Sequence, residues 1–139
     1  CDMKLTVKLD YACRVLAQLA KRYESGQVSC IDELASVEET PAKYLAQILG
    51  ELRNGGLVES RRGKQGGYLL AKAPEEISLH DVIGLVEGGL FSSVSRSSGA
   101  SGDAVADAWN RLQESFGQSA KAVTLRDLAN RPAEEMYYI

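Results

Sequence analysis

Apolar residues recur at Ala12, Val15, Leu16, Leu19, Ala20 and Tyr23, three and four positions apart. This spacing predicts a first helix with one buried stripe over about residues 6–24, stopped by Gly26. Ser29 with Asp32 three residues on has the form of a capping box, and it opens a second helix of about two turns through Ile31, Leu34 and Ala35. Thr40 is the expected cap of a third helix, with Pro41 in its first turn. The stripe Leu45, Ile48, Leu49 and Leu52 follows before Gly55 and Gly56 end it. The period then shortens. Leu57-Val58 and Glu59 to Arg62 lead into Gly63-Lys64-Gln65-Gly66-Gly67 and on to Tyr68-Leu69-Leu70, which predicts two short strands around a glycine-rich tip.

Helical spacing returns with Leu79, Val82, Ile83 and Val86, behind a second capping box of Ser78 and Asp81 and ahead of Gly88-Gly89. A fourth helix is expected at about 78–87. Serine and glycine dominate 88–103, which reads as a mobile loop. Asp103 is expected to cap a longer helix with its stripe at Val105, Ala108, Trp109, Leu112 and Phe116, about 15 residues or ~23 Å long. Thr124 and Asp127 open a last short helix ending near Pro132.

Three helices with a short break between the second and third, followed at once by a hairpin, are the order of a winged helix-turn-helix. The fold class expected is therefore mainly α (α+β): a winged helix-turn-helix over 3–87, a Ser/Gly-rich loop over 88–103, and a dimerisation helix with a C-terminal helix over 104–139. In such a fold the third helix enters the major groove of DNA. If Leu45, Ile48, Leu49 and Leu52 face inward, a turn of ~100° per residue puts Lys43, Ala46, Gln47 and Gly50 outward. Gln47 is suited to a base edge, Lys43 to a phosphate or guanine, and Tyr44 on the flank to a phosphate. Arg61, Arg62 and Lys64 cluster beside Gly63 in the hairpin tip, a composition that suits insertion into a narrow minor groove.

Charge sharpens this reading. The whole chain is at −3, yet residues 40–72 carry six lysines and arginines against only Glu51 and Glu59, a local +4. A phosphate backbone responds to that local field more than to the total. No apolar run approaches the ~20 residues of a membrane span, so a cytoplasmic protein without membrane contact is expected. Met3-Lys4 reads as a natural start and Cys1-Asp2 as a remnant left by expression. The other two cysteines, Cys13 and Cys30, are too few for a disulfide framework and too far apart for a zinc site. Cys30 at a helix start could favour its thiolate, so a redox role for Cys30 or Cys13 stands beside the plainer reading of two buried small residues. His80 is the single histidine and is expected at or near the surface of the fourth helix. No nucleotide loop, activated nucleophile or carboxylate pair points to an enzyme.

The segments Met3-Lys4-Leu5-Thr6, Tyr11-Ala12, Tyr44-Leu45 to Leu52-Arg53, Gly56-Leu57-Val58, and Arg62-Gly63 with Gly66-Gly67-Tyr68-Leu69-Leu70 together resemble the Rrf2 (Rrf-two) family of bacterial transcription regulators, which includes IscR-, NsrR- and CymR-like proteins. The resemblance covers nearly the whole chain and is strongest over 3–87. It implies a homodimer joined through the long helix, here at Val105, Trp109, Leu112 and Phe116, and a palindromic double-stranded operator. The implied DNA contacts take in Lys4, Thr6 and Thr40 with Lys43, Tyr44, Gln47, Arg61, Arg62, Gly63 and Lys64. The alternative for the long helix is packing against its own domain. The alternative for the fold as a whole is a protein-interaction module.

Many members hold an iron–sulfur cluster on three cysteines in the region equivalent to 88–103. This chain has none there. Serine and alanine do not replace three thiolates, so no cofactor is expected. Two origins fit: a member that senses another signal, or a chain whose loop cysteines were replaced, the one case in which a cluster belongs to the natural protein. Asp10 matches a position from which some members supply a carboxylate ligand; otherwise it is an early-helix acid favoured by the helix dipole.

Overall fold

The structure, a computed structural model, describes residues 6–63, 66–88 and 98–130. Helix α1 (Val7–Lys21) lies at the centre, with Leu9, Ala12, Val15, Leu16, Leu19 and Ala20 buried. Thr6 caps it, its Oγ1 accepting the Leu9 N–H at 3.1 Å. The stripe is thus as expected at its middle and shifted at its ends. Leu9 joins the core, and Tyr23 lies beyond the helix and is exposed.

Helix α2 (Ile31–Val37) is short and anchored by the fully buried Leu34. The expected capping box of Ser29 and Asp32 does not form, since Cys30 takes the cap position without a side-chain bond. Ser29 is buried and exchanges backbone hydrogen bonds of 2.9 and 2.8 Å with Tyr68. Helix α3 (Ala42–Asn54) follows a tight connection in which Glu39 adopts φ 52° and the Thr40 N–H donates to Ala35 O at 2.9 Å. Pro41 holds its cap position. Thr40, the expected cap, is buried instead, because that connection turns it inward.

Strands β1 (Val58–Arg61) and β2 (Gly67–Leu70) pair antiparallel, with Val58 opposite Leu70 and Arg61 opposite Gly67. The bridge from Tyr68 to Ser29 ties this hairpin to the segment between α1 and α2. That approach demands glycine at 67, where a Cβ would stand 2.5 Å from the Ser29 carbonyl oxygen. A single 3-10 turn (Pro74–Glu76) leads to α4 (Leu79–Glu87), where Ser78 and Asp81 form the expected reciprocal capping box.

Helix α5 (Gly102–Ala122) is longer than expected, 21 residues or about 31 Å, with Ser101 rather than Asp103 at its cap. It packs along α4 through its last turns. Ala120 is its one buried residue, and none from Asp103 to Ser115 is buried. The chain then returns to the core. The Leu79 N–H donates to Val123 O at 2.8 Å and the Leu125 N–H to Ile77 O at 2.9 Å, so α6 (Leu125–Asn130) lies against α1 with Leu125 fully buried. Asp127 accepts the Thr124 N–H at 2.9 Å, the start expected for this helix. Arg126 bridges Glu75 at 2.6 Å and Glu24 at 3.2 Å, pinning α6 across the 3-10 turn and the end of α1.

Candidate nucleic-acid interface

Helix α3 sets its stripe Leu45, Ile48, Leu49 and Leu52 wholly into the core. Helical geometry therefore turns Lys43, Ala46 and Gln47 outward, and all three are exposed, with Gly50 half-buried behind them. Tyr44 at the edge of this face is half-buried, its ring edge-on to Tyr11 with centroids 5.6 Å apart. That contact fixes α3 against α1. Arg53 is exposed in the last turn of α3 and its Nη1 donates to Ser60 Oγ of β1 at 3.4 Å, linking the helix to the hairpin.

Arg61, Arg62 and Gly63 are exposed at the hairpin end, where the Gly66 N–H closes a turn on Gly63 O at 3.0 Å. Gly63 adopts φ 109°, a conformation that disfavours a side chain. Exposed cations thus stand on two neighbouring elements, as they must for one duplex to meet both. Thr6 uses its hydroxyl as the cap of α1 and donates it to Glu87 at the end of α4. Thr40 presents no hydroxyl to solvent; its Oγ1 is buried and has no hydrogen-bond partner among the described residues. Lys4 and Lys64 lie outside the described residues.

Sequence reasoning missed a pair at the flank of this face. Lys8 Nζ of α1 meets Glu51 Oε1 of α3 at 2.8 Å. The Glu51 carboxylate holds the Lys8 amine above its ordinary value by hydrogen bonding; burial pulls the other way, and the charges of Glu51 and Glu87 add to the rise. The only signal in the sequence was that Glu51 is one of two acids in a basic stretch. Nothing local links it to a lysine 43 positions earlier.

The remaining candidates lie elsewhere. Val105, Trp109 and Leu112 are 49%, 46% and 54% exposed along one side of α5, and Phe116 is half-buried. His80 is exposed and faces α5 near Gly117. Asp10 is engaged by Arg14 at 3.0 Å, one turn along α1. Cys30 is exposed, not buried, and lines an open hollow with Val28, Glu33 and Arg61 between α2 and the hairpin. Cys13 packs against the core, where burial first and the Asp10 charge second push its thiol up to about 11, so it holds its proton at neutral pH. Among the described residues no group of three or more histidines, cysteines or acids could hold a metal ion. The two thiols among the described residues, on separate elements and one of them half-buried and protonated, do not fit an iron–sulfur cluster.

A sequence profile of the Rrf2 family, described as iron-dependent transcriptional regulators, matches residues 5–131. The chain belongs to the Rrf2 family. Among its relatives, the HTH-type transcriptional regulator CymR of Bacillus subtilis is 33% identical, over 99% of this chain and 100% of CymR. The regulator IscR of Cereibacter sphaeroides is 34% identical over 81% of this chain and 75% of its own. The solved structure of CymR, the global cysteine regulator of B. subtilis, superposes with a TM-score of 0.80 at 29% identity, covering 92% of this chain and 97% of CymR. The structure of T. potens IscR gives 0.76 at 28% identity, covering 98% and 97%. This Rrf2 chain is thus a winged-helix transcriptional regulator of the CymR and IscR type, and not an enzyme. No helix among its described residues is long and apolar enough to cross a membrane.

Proposed function

We propose that this regulator binds double-stranded DNA as a homodimer in the cytoplasm and reads a palindromic operator without an iron–sulfur cluster. The observation that carries the reading is the outward face of α3, where Lys43, Ala46 and Gln47 are exposed opposite a fully buried stripe. With α3 in the major groove, Gln47 offers an amide to adenine and Lys43 an ammonium to guanine or phosphate. Ala46 and Gly50 keep the helix surface low enough for close approach. Arg61 and Arg62 then lie over the adjoining minor groove.

Dimerisation is supported by Val105, Trp109 and Leu112, an apolar side of α5 that stands about half exposed among the described residues. Paired with the same side of a second copy, it buries three large residues from each chain and sets two readers in two-fold relation. The signal is then something other than a loop-bound cluster, since 88–103 holds no cysteine.

Selection of duplexes from a random pool by the purified protein tests this directly. The expected product is a two-fold symmetric site with half-sites about 10 base pairs apart, one helical turn. A folded dimer that enriches no sequence and binds duplexes without salt dependence would instead make the winged fold a protein-binding module.

A further inference from the structure

Glu51 is the only acidic residue of α3. It follows Gln47 by one helical turn and Tyr44 by about two, so it continues the flank of the DNA-facing surface. Its Oε1 takes the Lys8 ammonium at 2.8 Å, while its Oε2 is buried with no hydrogen-bond partner among the described residues. The Lys8 and Glu51 side chains are only 27% and 41% exposed. Glu87, which receives the Thr6 hydroxyl, draws on the same ammonium from the end of α4. A cation at the edge of the reading surface is therefore held by one carboxylate, Glu51, with the charge of a second, Glu87, acting on it from a longer range.

Stability is a poor account of this arrangement. Ion pairs of such exposure contribute little, and this one leaves an oxygen buried without a partner. At a DNA interface its consequence is larger. An uncompensated ammonium beside α3 attracts any phosphate backbone, and attraction blind to sequence narrows the margin between an operator and other DNA.

We infer that Glu51 is a specificity-setting residue: by holding Lys8 it withholds that ammonium from the phosphate backbone and keeps binding to unrelated DNA weak. This rests on the DNA-reading role proposed above. Glu51→Gln preserves shape and removes the charge, leaving Lys8 free to turn toward a phosphate. Lys8→Met removes the cation at similar length.

The test measures binding to a random-sequence duplex and to the duplex enriched by the unsubstituted protein, over a series of salt concentrations, with a thermal melt of each variant to establish folding. Glu51→Gln is expected to tighten random-duplex binding by roughly three- to tenfold at about 0.1 M salt and to steepen its log–log salt slope by about 0.9, the contribution of one more neutralised phosphate. The ratio of operator to random affinity should fall. Adding Lys8→Met should return the slope to that of the parent, which a packing role for Glu51 would not produce. An unchanged slope in folded Glu51→Gln, or a steep slope that survives loss of Lys8, overturns the role of Glu51 alone. A parent protein that enriches no duplex and binds the random duplex at no salt concentration overturns the DNA reading itself.

Discussion

In α3 the apolar stripe of Leu45, Ile48, Leu49 and Leu52 is at most 1% exposed, whereas in α5 Val105, Trp109 and Leu112 stand between 46% and 54% exposed. Both helices show the same amphipathic spacing, so the spacing alone says nothing about where an apolar side is buried. In α3 four neighbouring elements close over the stripe and the polar side is left facing outward. In α5 only the last turns are covered, and the apolar side itself is left as the surface. In the proposed function one helix works through the side opposite to what its own domain buries, the other through the side that its domain leaves out.

The comparison breaks most severely at α5. Replacing Trp109 and Leu112 together with glutamate should abolish self-association and lower operator affinity by about a hundredfold or more, since one half-site then binds alone. The thermal melt of the single chain should change little, because neither residue is buried in it. Sedimentation and titration with DNA report both outcomes, and a dimer that persists would remove α5 as the interface. In α3 the opposite pattern is expected. Leu49→Ala should cost about 2–5 kcal/mol in denaturant unfolding through a cavity in the core. Folded protein remaining at low temperature should still dimerise.

A smaller effect is expected where the hairpin meets the core. Gly67→Ala forces a Cβ to within 2.5 Å of the Ser29 carbonyl oxygen and should cost about 1–3 kcal/mol by the same unfolding measurement. DNA affinity should fall with it, because the Tyr68 to Ser29 bridge orients Arg61 and Arg62. Retention of both would show that the hairpin is positioned by something other than that bridge. The smallest effect concerns pH. The Cys13 thiol titrates at about 11 in the fold against 9.0 when unfolded, so the fold favours the protonated form. Its contribution is complete below pH 9 and is lost as pH rises from there through about 11. Melting temperature should decline over that window, and less steeply in Cys13→Ala. At pH 8 a disulfide reagent should modify the exposed Cys30 quickly and the half-buried, protonated Cys13 much more slowly until the chain unfolds.

Much of the fold was legible along the chain because it is written in local code. The buried face of α3, the reciprocal Ser78 and Asp81 cap and the β1–β2 hairpin all depend on residues within a few positions of one another. The outward side of the proposed interface follows from the first of these, since fixing one side of a helix fixes the other. The failures share a cause as well. Ser29 and Thr40 have the composition of helix caps, but one is drawn into backbone pairing with Tyr68 and the other is turned inward by the connection before α3. Local propensity gave way to contacts that propensity does not encode.

The sequence by itself determined which segments are helical, where α3 and α4 stop, which side of each is apolar, and that cations gather in 40–72. These follow from periodicity, capping and charge, whose physical range is a turn or two of chain. Only the tertiary structure decided what each apolar side meets. It covered the stripe of α3 and left that of α5 open, brought Leu125 back into the core of the first helices, and set Lys8 against Glu51. Such pairings join residues tens of positions apart, and they form because the packed elements bring those groups together, a constraint that no short window of sequence contains.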